Sequence, residues 1–288
     1  MLGRAPLPVF ETQLCQFCAF IADQGLSHQT IKCYLSAIRF HQIFSGLPDP
    51  GISNMVRLEQ LLKGIKSVQA RLKKNQRPRL PITPSILKCM KAVWIPTSNL
   101  RIKRDNKMLW AACTLCFFGF FRVGELMSSS TSSYDPETQL TFRDIAIDNV
   151  KSPTLLQVHL KASKTDPFRE GVDVYVGKSG NDIYPISAMS VYLSSRGGQD
   201  GPLFLFEDGT FLTKDRFVSA VREALKLIGI DPSKYSGHSF RRGAATTAQS
   251  RGISDVTIKM LGRWKSSAYT RYIQTPRSQL AAFSSQLA

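Results

Sequence analysis

The spacing of apolar residues predicts a helical segment at the beginning of the chain. Apolar side chains recur every three to four positions in residues 8–24, which favours an amphipathic helix. Ser27 is placed to cap a second helix, and residues 54–74 carry a third helical pattern. Because no strand pattern separates the three, the sequence predicts an all-helical domain over residues 1–76.

The pattern becomes mixed after Thr83, a predicted N-cap. Residues 105–121 are apolar on nearly all sides, which is typical of a buried central helix. Strand-like runs are predicted at 140–148, 155–162 and 171–177, and further helices at 185–195, 214–229, 238–252, 254–264 and 266–274. The predicted fold is therefore mainly α with a small antiparallel β-sheet (α+β), its second domain covering residues 83–288.

Residues 77–82 combine prolines and arginines, a composition typical of an extended linker. A basic run leads into this linker from the third helix. A charge run is usually a solvated face, but in a strongly positive chain it also suits DNA phosphates. The side chains expected to contact DNA here and on the second helix are Lys32, Arg39, Lys73, Lys74, Arg77 and Arg79.

The charge balance favours a polyanionic partner. Lys and Arg total 38 against 21 for Asp and Glu, which gives a formal net charge of +17. Such a surplus attracts nucleic acids or anionic membranes. No stretch approaches the roughly 20 apolar residues of a spanning helix, and no secretory signal is evident at the beginning. The sequence therefore predicts a soluble, DNA-binding protein of a reducing compartment rather than a membrane protein.

Two C-x-x-C pairs raise the possibility of zinc. Cys15 with Cys18, and Cys113 with Cys116, both lie inside apolar helical patterns, without the turn residues and nearby ligands of a zinc knuckle. Free cysteines pack as small buried hydrophobes, so core packing is the favoured interpretation. We therefore predict no metal site and no cofactor.

Two polar groups stand out in apolar or helical surroundings. Arg122 follows the apolar run and requires an anion or a carboxylate, which Glu125 could provide as a purely structural ion pair. His238 and Arg241 share a face near the start of a helix that Ser236 could cap, which favours phosphate binding. Arg242 points elsewhere, towards the DNA backbone or a carboxylate.

Two further segments hold candidate chemistry. Lys164 lies in the predicted hairpin turn, whereas Lys161 would belong to the adjoining strand. A lysine in a turn is ordinarily solvated and gains significance only if the turn folds over a site. Near the end of the chain, Tyr269 and Tyr272 are three residues apart, so only one of them need face a given site.

Taken in order, these features resemble the tyrosine recombinases, also called phage integrases. R-x-x-E, a hairpin lysine, H-x-x-R and L-G-R-W followed by R-Y-I together carry the resemblance, which covers essentially the whole chain. The sequence of the last segment is most similar to the sequences found in the branch of DIRS-type retroelements and Crypton-like transposons. The resemblance implies a DNA recombinase or integrase of a mobile element, with a core-binding domain before the catalytic domain.

The resemblance also implies roles for individual side chains. Arginines would hold the scissile phosphate and a tyrosine would attack it. Glu125 would support the residues of the pocket without touching the phosphate itself. The expected catalytic set is Arg122, Lys164, His238, Arg241, Trp264 and Tyr272. Many bacterial members carry L-G-H where this chain has L-G-R, so Arg263 competes with Trp264 for that histidine's position. We expect Trp264 in the site and Arg263 among the DNA-binding residues.

The chemistry explains this combination of residue types. A tyrosine hydroxyl ordinarily has a pKa of about 10 and needs a base or nearby cations to become nucleophilic. Two guanidiniums can stabilise charge that develops on the phosphate, His238 can accept or position the tyrosine proton, and Lys164 can protonate the departing 5′ oxygen. The product is a 3′-phosphotyrosyl bond, and neither ATP nor a metal ion is required.

The resemblance further implies double-stranded DNA as partner, a homotetramer on DNA and action in the nucleus. The tail from Ile273 to Ala288 could dock on a neighbouring copy or cap its own domain. Two other functions stay open: a catalytically silent, host-adopted DNA-binding protein, and a type IB topoisomerase. Loss of Tyr272 or of either arginine would favour the first, but all three are present.

Overall fold

The computed structural model describes residues 7–72, 79–98, 101–149, 151–163, 166, 168–180, 182–198 and 200–273. The chain divides into two compact units, Met1–Arg77 and Pro78–Ala288. The predicted tail and the predicted hairpin lysine, Lys164, lie outside the described residues. None of the helices in the described ranges is long and apolar enough to cross a membrane.

The first unit is helical, as the sequence predicts. Its core is built by one face of each helix, including Leu14, Ile31 and Leu58. The Ser27 hydroxyl accepts a hydrogen bond from the Thr30 N–H at 3.1 Å, which confirms the predicted cap. The helices are α1 (Glu11–Asp23), α2 (His28–Phe44) and α3 (Val56–Leu72), with a 3₁₀ turn at Ile52–Asn54.

The second unit combines helices with one sheet. Thr83 caps its first helix through a bond from the Ile86 N–H, as predicted. The helices are α4 (Pro84–Trp94), α5 (Arg104–Phe118), α6 (Val123–Leu126), α7 (Pro185–Arg196), α8 (Lys214–Leu227), α9 (His238–Ser250) and α10 (Asp255–Leu261). The predicted helix at residues 266–274 is a 3₁₀ turn over Ser267–Arg271.

Helix α5 is the buried centre of the second unit. Every residue from Met108 to Phe117 is buried, which confirms the prediction from its all-round apolar character. The helix ends at Phe118, earlier than the apolar pattern alone predicts. Phe120 has a φ of +51°, and this left-handed residue turns the chain so that Arg122 begins a new short helix.

The sheet has three antiparallel strands in the order β1 (Ile145–Ile147), β2 (Leu155–Leu160) and β3 (Val172–Gly177). Strand β2 pairs with both neighbours, and Val158 lies opposite Val174 in the buried face. The first strand is shorter than predicted because the carboxylate of Asp144 accepts the N–H of Thr141 and closes a 3₁₀ turn. The α+β fold class is confirmed.

Residues 79–82 differ from the expected linker, because they are bound to the second unit. The Leu80 N–H donates to the Lys234 carbonyl at 2.8 Å, and the Ile82 N–H donates to the Ser239 carbonyl at 2.9 Å. Ile82 is fully buried. Helix α9 lies so close to this segment that a Cβ at Gly243 would be 1.7 Å from the Ile82 carbonyl oxygen.

The cysteine pairs pack as predicted. Cys18, Cys113 and Cys116 are fully buried, and burial raises the pKa of the Cys18 thiol to about 11. Among the described residues, no group of three or more His, Cys, Asp or Glu side chains could hold a metal ion.

Gly243→Ala should destabilise the second unit. A helical Gly→Ala change ordinarily stabilises by about 1 kcal/mol, but here the added methyl must displace the Ile82 backbone, at a cost of about 2 kcal/mol. The net loss of about 1 kcal/mol should lower the thermal midpoint, measured by circular dichroism, by roughly 3 °C. Gly64→Ala in α3, where nothing lies within 4 Å, is the matched control and should not lower stability. Equal midpoints for both variants would contradict the close approach.

Candidate active site

The second unit brings together most of the side chains predicted for the site. Arg122 is contributed by the start of α6, and His238 and Arg241 by the first turn of α9. Trp264 and Tyr272 come from the segment that follows α10. In space, the Tyr272 ring centroid lies 5.4 Å from that of Trp264 and 6.2 Å from that of His238. The sixth predicted member, Lys164, lies outside the described residues.

Arg122 and Glu125 form an ion pair. The sequence had left such a pair open as a purely structural explanation of Arg122. Arg122 Nη1 lies 2.5 Å from Glu125 Oε1, and the Arg122 backbone N–H donates to Oε2 at 2.9 Å. Glu125 is nearly buried, with 4% of its side chain exposed, whereas Arg122 keeps 20%. The carboxylate therefore holds the inner side of the guanidinium while part of Arg122 still reaches solvent.

Arg241 is the central buried cation of the site. Its side chain is fully buried, and Nη1 donates to the Phe120 carbonyl at 2.7 Å. Nη2 donates to the Gly262 carbonyl, and Nε has no partner among the described residues. Burial, followed by the charge of Arg122, lowers the pKa of Arg241 to about 10, so the group stays charged at neutral pH.

His238 is the first residue of α9. The N-cap is Gly237 and not the predicted Ser236, whose N–H instead donates to the Ser239 hydroxyl at 3.0 Å. Burial lowers the pKa of His238, and the nearby charges of Lys214 and Arg241 lower it further. The imidazole is therefore neutral at neutral pH and can accept a proton.

Trp264 lies over Arg241. The Arg241 Cζ is 4.2 Å from the Trp264 ring centroid, a cation–π contact, and Trp264 is only 8% exposed. The ring can approach because residue 262 is glycine: a Cβ there would lie 1.7 Å from the indole. Of the two residues, it is Trp264 whose side chain lies against Arg241.

Tyr272 and Tyr269 have different surroundings. The Tyr272 ring faces His238 and lies 6.0 Å from the Arg241 Cζ, and the Thr246 hydroxyl donates to the Tyr272 carbonyl at 3.3 Å. The pKa of Tyr269 is raised by burial and by its bond to the Asp255 carboxylate, which disfavours a tyrosinate. Of the two, Tyr272 has the surroundings of a nucleophile.

Arg263 does not point to the surface as a DNA-binding residue would. Its side chain is 14% exposed, and Nη2 lies 3.1 Å from Glu125 Oε2. Nη1 donates to the Gly119 carbonyl at 3.0 Å. The expectation of a DNA contact is corrected on this geometry, because these bonds direct the guanidinium inward. A φ of +54° at Arg263, which the sequence did not reveal, is what turns the side chain this way.

The lysines and arginines outside the site differ in their surroundings. Lys161 is held by Asp144 at 2.8 Å, so it is fixed beside the sheet as expected. Lys32 and Arg39 are exposed on α2, although Arg39 pairs with Asp49. Arg79 is exposed and donates to the Ser233 carbonyl, and Arg242 is half-buried. The remaining predicted DNA contacts, Lys73, Lys74 and Arg77, lie outside the described residues.

The charges of the site suit a phosphate. Arg122, Arg241 and Arg263 face a single carboxylate, Glu125, so the cluster carries a surplus of two positive charges besides the neutral His238. Guanidiniums offer fixed N–H groups to anionic oxygens, and a half-buried setting strengthens that interaction. A tyrosine hydroxyl beside these cations and a neutral imidazole can attack a phosphodiester.

Tyr272 lies beside Arg241 in a helical unit with a three-stranded sheet, and the chain is similar in sequence and fold to known recombinases. No protein-family model matches the chain. A curated relative, an integrase/recombinase XerD homolog of Selenomonas ruminantium, is 24% identical over 283 residues, which are 94% of this chain and 75% of the relative.

Solved structures show the same fold. The Tn1549 transposon integrase in complex with circular intermediate DNA is 15% identical with a TM-score of 0.62, over 100% of this chain and 88% of that one. The XerH site-specific recombinase bound to a palindromic difH substrate is 16% identical with a TM-score of 0.59, over 99% and 73% of the two chains. These similarities support the tyrosine recombinase/integrase family.

Gly262→Ala should displace Trp264 from Arg241. The added methyl overlaps the indole ring, so the ring must leave its position. We expect an altered tryptophan emission spectrum, with Trp264→Phe as the reference that identifies the contribution of this residue. Gly198→Ala, where nothing lies within 4 Å, should leave the spectrum unchanged. A wild-type spectrum in Gly262→Ala would contradict the packing described.

Proposed function

We propose that this protein cleaves and rejoins double-stranded DNA through a 3′-phosphotyrosyl intermediate. The observation that carries the proposal is the position of Tyr272, whose ring faces the neutral His238 and lies beside the charged Arg241. The XerD homolog and the structurally similar Tn1549 integrase and XerH support the same reaction class.

The first half-reaction would proceed from these positions. The Tyr272 Oη attacks the scissile phosphorus and forms a P–O bond, while the bond from phosphorus to the 5′ oxygen breaks. His238 accepts the tyrosine proton, and the departing 5′ oxygen takes up a proton, a role that the resemblance gives to Lys164. The reverse sequence, with a 5′-hydroxyl of another strand as nucleophile, rejoins the DNA.

Arg122 and Arg241 would stabilise the charge that develops on the non-bridging oxygens. Arg122 is partly exposed and can meet a phosphate directly. Arg241 is covered by Trp264 and Tyr272, so a phosphate reaches its remaining N–H groups when it displaces the Tyr272 ring. The resemblance gives Trp264, which stays over Arg241, the role of donating its indole N–H to the phosphate.

The proposal also covers the DNA partner, the oligomeric state and the mobile-element origin of the protein. The Tn1549 integrase and XerH structures contain DNA, and the charge of +17 suits the same partner here. We assign DNA binding to the first unit, catalysis to the second, and the active state to a homotetramer on two DNA sites. From the resemblance of its L-G-R-W and R-Y-I segments we also assign the chain to DIRS-type or Crypton-like mobile elements, with action in the nucleus.

Tyr272→Phe should abolish the covalent protein–DNA product, because the attacking oxygen is lost. The protein is incubated with a nicked suicide substrate drawn from the flanks of its own element, and the product is resolved on a denaturing gel. Tyr269→Phe is the matched control and should retain the product, because it keeps the ring whose centroid lies 6.1 Å from that of Trp264 and removes only the hydroxyl that bonds to Asp255.

The gel distinguishes three outcomes. A product that disappears only in Tyr272→Phe supports the assignment of the nucleophile and of the reaction class. Loss only in Tyr269→Phe would transfer the role to that residue. If the wild-type protein forms no covalent product but shifts the DNA on a parallel native gel, the enzymatic proposal fails and a DNA-binding function replaces it.

The pH dependence of cleavage should report His238. Because burial and nearby cations lower its pKa below the ordinary 6.5, the neutral base is fully present at pH 7 and is lost only as pH falls below 6.5. We expect single-turnover rates in His238→Gln to be lower and to lack this acid limb. A wild-type acid limb centred above pH 6.5 would contradict the assignment.

A further inference from the structure

Arg263 lies inside the site, although the sequence assigned it to DNA contact, and the proposed reaction gives it no role. We propose that Arg263 is a positioning residue that holds Arg122 in its phosphate-binding orientation through Glu125. The inference rests on the proposed function, because it concerns the orientation of an arginine that would bind the scissile phosphate. Its structural basis lies in the two oxygens of one buried carboxylate.

The Glu125 carboxylate divides its oxygens between the two arginines. Oε1 accepts from Arg122 Nη1 at 2.5 Å. Oε2 accepts from Arg263 Nη2 at 3.1 Å and from the Arg122 backbone N–H at 2.9 Å. Arg122 therefore engages only one oxygen with its side chain, and its other N–H groups stay available for an anion.

Arg263 is itself fixed in place. Nη1 donates to the Gly119 carbonyl at 3.0 Å, and Cζ lies 4.7 Å from the Phe121 ring centroid. These contacts come from the segment between α5 and α6, which leads directly into Arg122. Arg263 thus binds both the backbone before Arg122 and the carboxylate that holds the Arg122 side chain.

Removal of Arg263 would change the charge that Arg122 presents. Arg263 offsets the negative charge of Glu125, which leaves Arg122 and Arg241 with their full charge for a phosphate. Without Arg263, Glu125 would be a buried carboxylate with Oε2 open to a second bond from Arg122. The Arg122 side chain would then turn towards Glu125 and away from the phosphate.

The test separates positioning from DNA contact. Single-turnover cleavage of the nicked suicide substrate is measured at saturating DNA for Arg263→Met, Arg263→Lys, Glu125→Gln and the double variant Glu125→Gln with Arg263→Met. Arg216→Met is the matched control, because Arg216 is a half-buried arginine that lies on the Phe206 ring, outside the site. DNA affinity is measured for each variant, and for Arg122→Met alone and with Arg263→Met, over a range of salt concentrations.

We expect Arg263→Met to lower the cleavage rate by about 100-fold, the loss typical of a misplaced catalytic group. Arg263→Lys should recover part of the rate, because its ammonium can still reach Glu125. The double variant should be no slower than Glu125→Gln alone, because both changes act through one carboxylate. Affinity and salt dependence should change no more than in Arg122→Met, because only the Arg122 contact with the phosphate is lost, and Arg216→Met should cleave at the wild-type rate.

Three results would overturn the inference. An unchanged rate in Arg263→Met would remove any positioning role. A further fall of about 0.9 in the slope of log affinity against log salt when Arg263→Met is added to Arg122→Met would show that Arg263 itself contacts a phosphate of the DNA backbone. Multiplied effects in the double variant would likewise show that Arg263 acts independently of Glu125.

A second readout does not depend on cleavage. Inorganic phosphate is titrated while the thermal midpoint is followed, and the part of the upshift that Arg122→Met removes defines binding at the site. Arg263→Met should remove the same part, and Arg263→Lys and Arg216→Met should keep it. If the wild type does not cleave DNA but its phosphate-induced upshift is reduced by Arg263→Met in this way, the proposed function fails and the positioning role stands. Retention of the full upshift in Arg263→Met would exclude that role.

Discussion

The buried guanidinium of Arg241 is the interaction on which the site depends. It joins three segments that are distant in the chain: α9, which carries it, the Phe120 carbonyl before α6 and the Gly262 carbonyl after α10. A buried arginine without such acceptors would be costly, because removing its charge from water is repaid only by well-placed partners. Arg241 therefore stabilises the same backbone arrangement that places Arg122 and Trp264 around it.

The carbonyl that Arg241 requires is supplied by a strained backbone. Phe120 has a φ of +51° and Arg263 a φ of +54°, in a region that costs a non-glycine residue of order 1 kcal/mol or more. Both residues contact the same cluster, since Arg263 Nη2 also approaches the Phe120 carbonyl, at 3.4 Å. The left-handed turn at Phe120 thus presents its carbonyl to the guanidinium of Arg241 and, at a longer distance, to that of Arg263.

Features that depend on neighbouring residues could be predicted from the sequence, whereas contacts between residues far apart in the chain could not. The buried helix α5, the cap at Ser27 and the shared face of His238 and Arg241 follow from spacing within one helix turn or one helix. The inward direction of Arg263 does not, because it depends on a positive φ and on a carboxylate 138 residues away. The grouping of Arg122 with Tyr272 came from family resemblance, since no periodicity relates such distant positions.

The aromatic rings that cover Arg241 link the binding of a phosphate to the movement of the Tyr272 ring. The cation–π contacts with Trp264 and Tyr272 are worth about 0.5–2 kcal/mol each, whereas a hydrogen bond from a guanidinium to a charged oxygen contributes about 1.5–3 kcal/mol. Arg241 uses two of its five N–H groups on the backbone, so three are left for a phosphate. A phosphate can therefore displace the Tyr272 ring from Arg241 without dismantling the site. The nucleophile then leaves its resting contact only when its target has arrived.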